Sequence, residues 1–252
     1  MTRVTEVAVV VGASGAFGAA IVKRLVDEGL EVLAVARDPE KLAALADGFD
    51  RVAAVATDIL DDASVDVIRE AIGDRVVRAV VHGPGVIVAG GILEAPPEAI
   101  VKSVDIKVGG LLRVVRAADE RFVEGSRIIA IAGHYGLEPS HYAATAGVAN
   151  AAVFSVVRQL SLAYGPRGVT AHTLAPGPSD TERLRRVAAD RAKMQGTTAE
   201  AVLDEMRKSS SIGRFTTPEQ VAWSVATLLA PEASAMTGST IMLDSGRRKG
   251  LP

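Results

Sequence analysis

Gly12, Gly15 and Gly18 stand three residues apart in "VVVGASGAFGAAIVKRLVDEG", after an apolar β-branched run and at the head of an amphipathic stretch. That order predicts a strand, a tight turn and a helix over Gly18 to Glu28. The glycines then let a pyrophosphate approach the backbone, and the helix N-terminus offers unpaired N–H groups to it. Ser14, Ala16 and Phe17 belong to the same loop, and a dinucleotide is its expected ligand. At the end of the next predicted strand, an acidic residue would bond the 2′-hydroxyl of NAD. "AVARDPEKL" has Arg37 there, which suits a 2′-phosphate, so NADP(H) is expected; the other reading of Arg37, with Asp38 beside it, is a solvated surface charge. Asp58 in "VATDILDD" ends a third strand, where it could bond the adenine amino group with Ile59 alongside, or cap the following helix.

A second group of residues could move a proton. "GHYGLEPSHYAATAGVANAAV" brings His134, Tyr135, His141 and Tyr142 into one short stretch. Such side chains serve as general acids at a carbonyl oxygen. Metal and thiolate chemistry are not expected, because the chain has no cysteine and its four histidines lack ligand spacing.

The elements that must position these groups follow from alternating short apolar runs and longer amphipathic stretches. This is the pattern of an α/β, Rossmann-type, doubly wound parallel sheet with helices on both faces. Seven strands are expected, in "EVAVVVG", "EVLAVA", "RVAAVATD", "AVVHGPG", "RIIAIAG", "VTAHTLAPG" and "STIMLD". Further helices are expected over 40–46, 63–71, 97–123, 145–164 and 218–229. Residues 179–212 are charged and too long for a simple connection, so they are read as a two-piece helical substrate lid.

The length, 252 residues, suits one α/β domain. Apolar residues make up 48%, but charges or Gly/Pro breaks interrupt every long window, so no membrane span is expected. The start lacks a signal-peptide pattern, which places the protein in the cytoplasm. A net charge of -2 without a basic run argues against nucleic acid.

Over essentially its whole length the chain resembles the short-chain dehydrogenase/reductase superfamily. The matching pieces are "VGASGAFG", "TD" at 57–58, "VVHGPG", "YGPRGVTAHTLAPGPSDTERL" and the C-terminal "GRFTTPEQVAWSVATLLAPEASAMTGSTIMLDSG". The resemblance implies that Gly83 and Pro84 border the cofactor. It also implies that Pro176, Gly177 and Pro178 shape the turn at the nicotinamide carboxamide, with Thr181 bonding the carboxamide or the pyrophosphate.

The family's chemistry uses Ser, Tyr and Lys, supported by Asn. Spacing from the "YGPRG" turn puts Gly133 at the Ser position, Ala146 at the Tyr position and Asn150 at the Lys position. Tyr142 fails as the alternative, since it would put Ala146 at the Lys position and Ile129 at the Ser position. Lys107 stands where the Asn belongs, either reaching the nicotinamide ribose or lying solvated on its helix.

The resemblance therefore implies an atypical NADPH-dependent ketoreductase, similar to an angucyclinone ketoreductase that lacks those residues. Gly133 and Ala146 would leave an apolar hollow for a flat, hydroxylated polyketide-like ketone, whose own hydroxyl supplies the proton unless His134, Tyr135, His141 or Tyr142 does. The rival readings are a catalytically silent NADP-binding subunit or cofactor sensor, and a non-redox enzyme on the same scaffold. The helices over 97–123 and 145–164 resemble the family's interface pair, so a homo-oligomer, dimer or tetramer, is expected.

Overall fold

Strand β1 (Glu6–Val11) divides its side chains by parity: Val7, Val9 and Val11 enter one apolar cluster, Ala8 and Val10 another. A strand buried on both faces needs helices on both sides of its sheet. The computed structural model, which describes residues 6–88 and 90–250, has that arrangement. Residues 1–5, part of the stretch read above as free of a signal peptide, lie outside the described residues.

Among the described residues, β1 is joined by β2 (Glu31–Ala36), β3 (Val52–Ala56), β4 (Val76–His82), β5 (Phe122–Ile131), β6 (Thr170–Pro176) and β7 (Thr240–Leu243). They form one parallel sheet in the order β3-β2-β1-β4-β5-β6-β7. The order reverses between β1 and β4. A crevice opens beyond the carboxyl ends of strands at such a point, and both the glycine loop after β1 and the Gly83–Pro84 turn after β4 border it.

One face of the sheet carries α1 (Ala16–Asp27), α2 (Pro39–Ala46) and α9 (Pro218–Thr227), whose Ile21, Leu25, Leu42 and Val225 share a core. The other carries α3 (Ser64–Ile72), α5 (Gly110–Ala118) and α6 (Ala144–Tyr164), which contribute Ile68, Leu111, Val114, Val153 and Val157. Each such side chain, fully buried, contributes about 1.5–3 kcal/mol. By length and hydropathy α6 could also cross a membrane, but its Ala149, Val153, Val157 and Leu160 are buried against the sheet, as in a core helix.

The single helix expected over 97–123 is not found. It is α4 (Pro97–Val104), a π-helical turn at Asp105–Gly109, α5 and a short 3-10 turn at Asp119–Arg121. Phe122 and Val123 belong to β5, where Phe122 pairs with Val77 of β4. A β-branched and aromatic pair at a strand edge outweighs the helical period that precedes it. The π turn ends where side chains press on the helix backbone: a Cβ on Gly110 would stand 2.9 Å from both His82 Cε1 and Ile59 Cγ1.

Residues 179–212 do contain two helices, α7 (Glu182–Gln195) and α8 (Ala199–Lys208). Thr181 and Thr198 cap them by accepting the Leu184 and Ala201 N–H groups. The pair encloses a small core of Ala188, Ala192, Val202, Leu203 and Met206.

Candidate active site

The glycine loop is a close-packed cradle. Gly12 has φ 83° and donates its N–H to Val35 O at 2.8 Å; a Cβ on it would meet Pro84 N at 3.0 Å. Gly83 donates to Val11 O at 3.0 Å, so the two turns are pressed together. A Cβ on Gly18 would overlap the Gly12 carbonyl oxygen. Helix α1 begins at Ala16, two residues before the expected start. Its N-cap, Gly15, carries no side chain to satisfy the first N–H groups, and a Cβ there would touch only the Gly12 oxygen, at 3.4 Å. Exposed donors at a helix N-terminus suit a pyrophosphate. Ser14 and Phe17 are half-buried, and Phe17 leans on the α1 core. These residues fit a dinucleotide.

Arg37 lies exposed just beyond β2. Asp38 does not compete for a ribose hydroxyl, because its carboxylate accepts the Lys41 N–H at 3.1 Å as the α2 N-cap and pairs with Lys41 Nζ at 3.2 Å. Those contacts hold its pKa below the usual carboxylate value. Arg37 is therefore the charge at the strand end that remains for a 2′-phosphate. Arg37→Asp is expected to remove about 1.5–3 kcal/mol of NADPH affinity, on the order of 10- to 100-fold in Kd. Titration with NADPH and with NADH checks this, the NADH value staying equal or improving.

Asp58 accepts the Leu60 N–H at 3.1 Å, a local turn bond, while Asp61 accepts from Ala63 before α3. The Ile59 side chain is 6% exposed and belongs to the core.

Lys107 is not a solvated helix residue. The π turn directs it inward, 5% exposed, where Nζ donates to Ile131 O at 2.6 Å. Burial, and then the positive charge of Arg183, lower its pKa to about 7. The same turn leaves the Ile106 carbonyl to accept from His82 Nε2 at 3.0 Å. Burial and the Lys107 charge push His82 down to about 3, so it is neutral. His82, which the sequence reading passed over inside "VVHGPG", thus walls Lys107 on the β4 side.

The space beside Gly133 is not the empty apolar hollow expected. Asn150, one helical turn after Ala146 on the same face of α6, puts Nδ2 2.9 Å from where a Gly133 Cβ would be. Pro176 O stands 3.7 Å from that point. Asn150 is 6% exposed, and its Oδ1 finds no hydrogen-bond partner among the described residues. Gly133, Asn150, Pro176 and, through Ile131, Lys107 therefore converge at the ends of β5 and β6.

His134 is buried, stacks on Tyr135 at 4.1 Å between ring centroids, and is lowered by burial to about 4. Tyr135 Oη is 2.9 Å from Tyr142 Oη; burial and Tyr142 push its phenol well above the ordinary value. Arg191 of α7 lies 4.4 Å over the Tyr142 ring. His141 is exposed, and its carbonyl accepts the Ile92 N–H at 2.7 Å. The four form a wall of ring contacts between the β5 loop and α7.

The Pro176–Pro178 turn is fixed by Gly177 N–H to Leu243 O at 3.0 Å and by Thr216 N–H to Pro178 O at 3.2 Å. Thr181 Oγ1 donates to Ser179 O and accepts from Leu184 N, each at 3.3 Å; one lone pair is left for an amide N–H. Arg183, hidden from the sequence reading among the charges of "TERLRR", is exposed as a residue, while its Nη2 donates to Val86 O at 3.0 Å.

A family model described as enoyl-(acyl carrier protein) reductase matches residues 12–248. The chain is 29% identical over 260 residues to the short-chain reductase protein NovJ of Streptomyces niveus, with 96% of this chain and 94% of that protein covered. Its fold superposes on a variant of actinorhodin polyketide ketoreductase with NADPH at TM-score 0.88 and 25% identity, covering 96% and 97% of the two chains. For L-sorbose reductase from Gluconobacter frateurii, complexed with NADPH and L-sorbose, the TM-score is 0.87 at 25% identity, with 98% of each chain covered.

Proposed function

The chain belongs to the short-chain dehydrogenase/reductase superfamily and is an NADP(H)-dependent oxidoreductase; from that premise we propose a ketoreductase that works without a tyrosine acid. Its substrate in this reading is a hydroxylated aromatic, polyketide-like ketone of the angucyclinone type, whose own neighbouring hydroxyl supplies the proton. The relatives that carry polyketide names lend the substrate class its support.

The observation that carries the proposal is the trio Gly133, Ala146 and Asn150. At the positions matching the family's Ser, Tyr and Lys there is no hydroxyl, and the amide of Asn150 orients but does not ionise. His134, held neutral, and Tyr135, with its phenol raised and bonded to Tyr142, are poorly placed to give up a proton. NADPH, when bound, supplies the hydride. The protein's part is to hold the ketone in a walled site and to exclude water. A positioned acid contributes roughly 10²- to 10⁴-fold, about 3–5 kcal/mol, whereas orientation can contribute about 7–11 kcal/mol.

The test follows NADPH consumption with an ortho-hydroxyaryl ketone and with its O-methyl ether. The hydroxy compound is expected to react at least about tenfold faster. Equal rates overturn substrate assistance, and silence toward both with NADPH bound favours the cofactor-binding subunit. Tyr135→Phe is expected to change kcat less than about tenfold, where removal of a true acid would cost roughly 10²- to 10⁴-fold. The lid role of 179–212, action in the cytoplasm and a homo-oligomeric state, dimer or tetramer, belong to the same reading. Val101 on α4 and Leu162 on α6, at 68% and 64% exposure, support the last.

A further inference from the structure

Two cations approach the Lys107 side of the site from different elements. Lys107 Nζ uses one of its three donors, on Ile131 O. Arg183 reaches over from the first turn of α7, bonded to Val86 O. It lies against the Gly85 backbone: a Cβ on Gly85 would overlap Nη1, so a larger residue there would move the guanidinium. The Arg183 charge bears on the Lys107 ammonium and disfavours it. Among the described residues, no carboxylate forms an ion pair with either cation. His82 on β4 is neutral, and the Asn150 Oδ1 on α6 is buried without a partner.

A desolvated cation held beside another, with no counter-charge, is unfavourable until an anion arrives. The Arg183 guanidinium lies at Gly85, one residue past the Gly83–Pro84 turn that packs on Gly12, so the cofactor's pyrophosphate is the competing anion and the test below separates the two. We propose that Lys107 and Arg183 form an oxyanion seat for the substrate hydroxyl beside the reacting carbonyl, which makes the substrate a ketone with an acidic phenolic or enolic neighbour. This rests on the ketoreductase reading. In the step, hydride adds to the carbonyl carbon and the C=O π pair becomes the alkoxide. The alkoxide takes the proton of the neighbouring hydroxyl, whose O–H electron pair stays on its oxygen. The two cations hold that oxyanion until it regains a proton from water.

The test uses the protein saturated with NADP+, which cannot turn over, and 1-hydroxyanthraquinone, whose ionisation shows in visible absorbance. Bound phenol is expected to titrate at least about one pH unit below free phenol. Arg183→Gln is expected to reverse most of that shift, and Lys107→Met likewise, with 1-methoxyanthraquinone binding more weakly to the wild type. An unshifted or raised phenol pKa overturns the proposal, as does a hydroxy probe that binds no better than its ether. It is overturned too if Arg183→Gln weakens NADP+ binding tenfold by calorimetry and leaves the phenol shift intact, because the anion is then the cofactor's pyrophosphate. A depressed phenol without NADPH consumption on any ketone keeps the seat and removes the ketoreductase reading.

Discussion

Gly18→Val is expected to abolish tight NADPH binding while the protein stays folded. A Cβ at Gly18 overlaps the Gly12 carbonyl oxygen and falls 2.6 Å from Ala13 Cα, both backbone, so no side chain can swing aside. Helix α1 must lift from the loop, and the donors at its N-terminus move away from the phosphates. Overpacking of this kind costs about 3 kcal/mol or more, on the order of 10²- to 10³-fold in Kd. Calorimetric titration measures the loss, and far-ultraviolet circular dichroism reports the fold. Gly165→Ala is the control: nothing lies within 4 Å of its Cβ and its φ is -50°. Unchanged affinity in Gly18→Val would mean that the phosphates do not use this loop.

The parts of the molecule that were legible in sequence are those whose signal is local. Strands β1 and β2 lie within apolar runs, because burial on both faces leaves little room for polar residues, whereas β5 also takes in Glu124–Arg127 and the edge strand β3 is mostly exposed. The glycine cradle was legible because its φ value and close approaches are steric demands that few residues meet. Where the contact partner is remote in sequence, legibility failed. The end of the helix over 97–123 depends on Phe122 pairing with Val77, and the π turn depends on Gly110 meeting His82 and Ile59. Arg183 reads as one charge among several until it is placed against Gly85, nearly a hundred positions away. Asn150 filling the space beside Gly133 needs α6 placed on the sheet; counting residues names both positions but not their contact.

Lys107→Met is expected to stabilise the protein at neutral and acidic pH while it weakens the oxyanion seat. The pKa of Lys107 falls from 10.5 to about 7 in the fold, chiefly through burial and then through Arg183, with neutral His82 on the β4 side. Between those two values the unfolded chain binds more protons than the folded one, so stability rises with pH across the window. Below pH 7 the folded protein carries the full penalty, about 5 kcal/mol at 1.36 kcal/mol per unit. Methionine removes that penalty but leaves the Ile131 carbonyl without its donor, at a cost of about 1–3 kcal/mol. A net gain of about 2–4 kcal/mol is expected near pH 6, shrinking as pH climbs from 7 toward 10.5 and reversing at the top of the range. Urea denaturation of both proteins across pH 6–10 checks it. A Met variant less stable at pH 6, or a gap independent of pH, would show that the lysine is solvated or paired in the fold. With its pKa lowered by burial and then by Arg183, Lys107 costs the fold stability at pH values below its unfolded pKa, the trade expected of a charge held for a site.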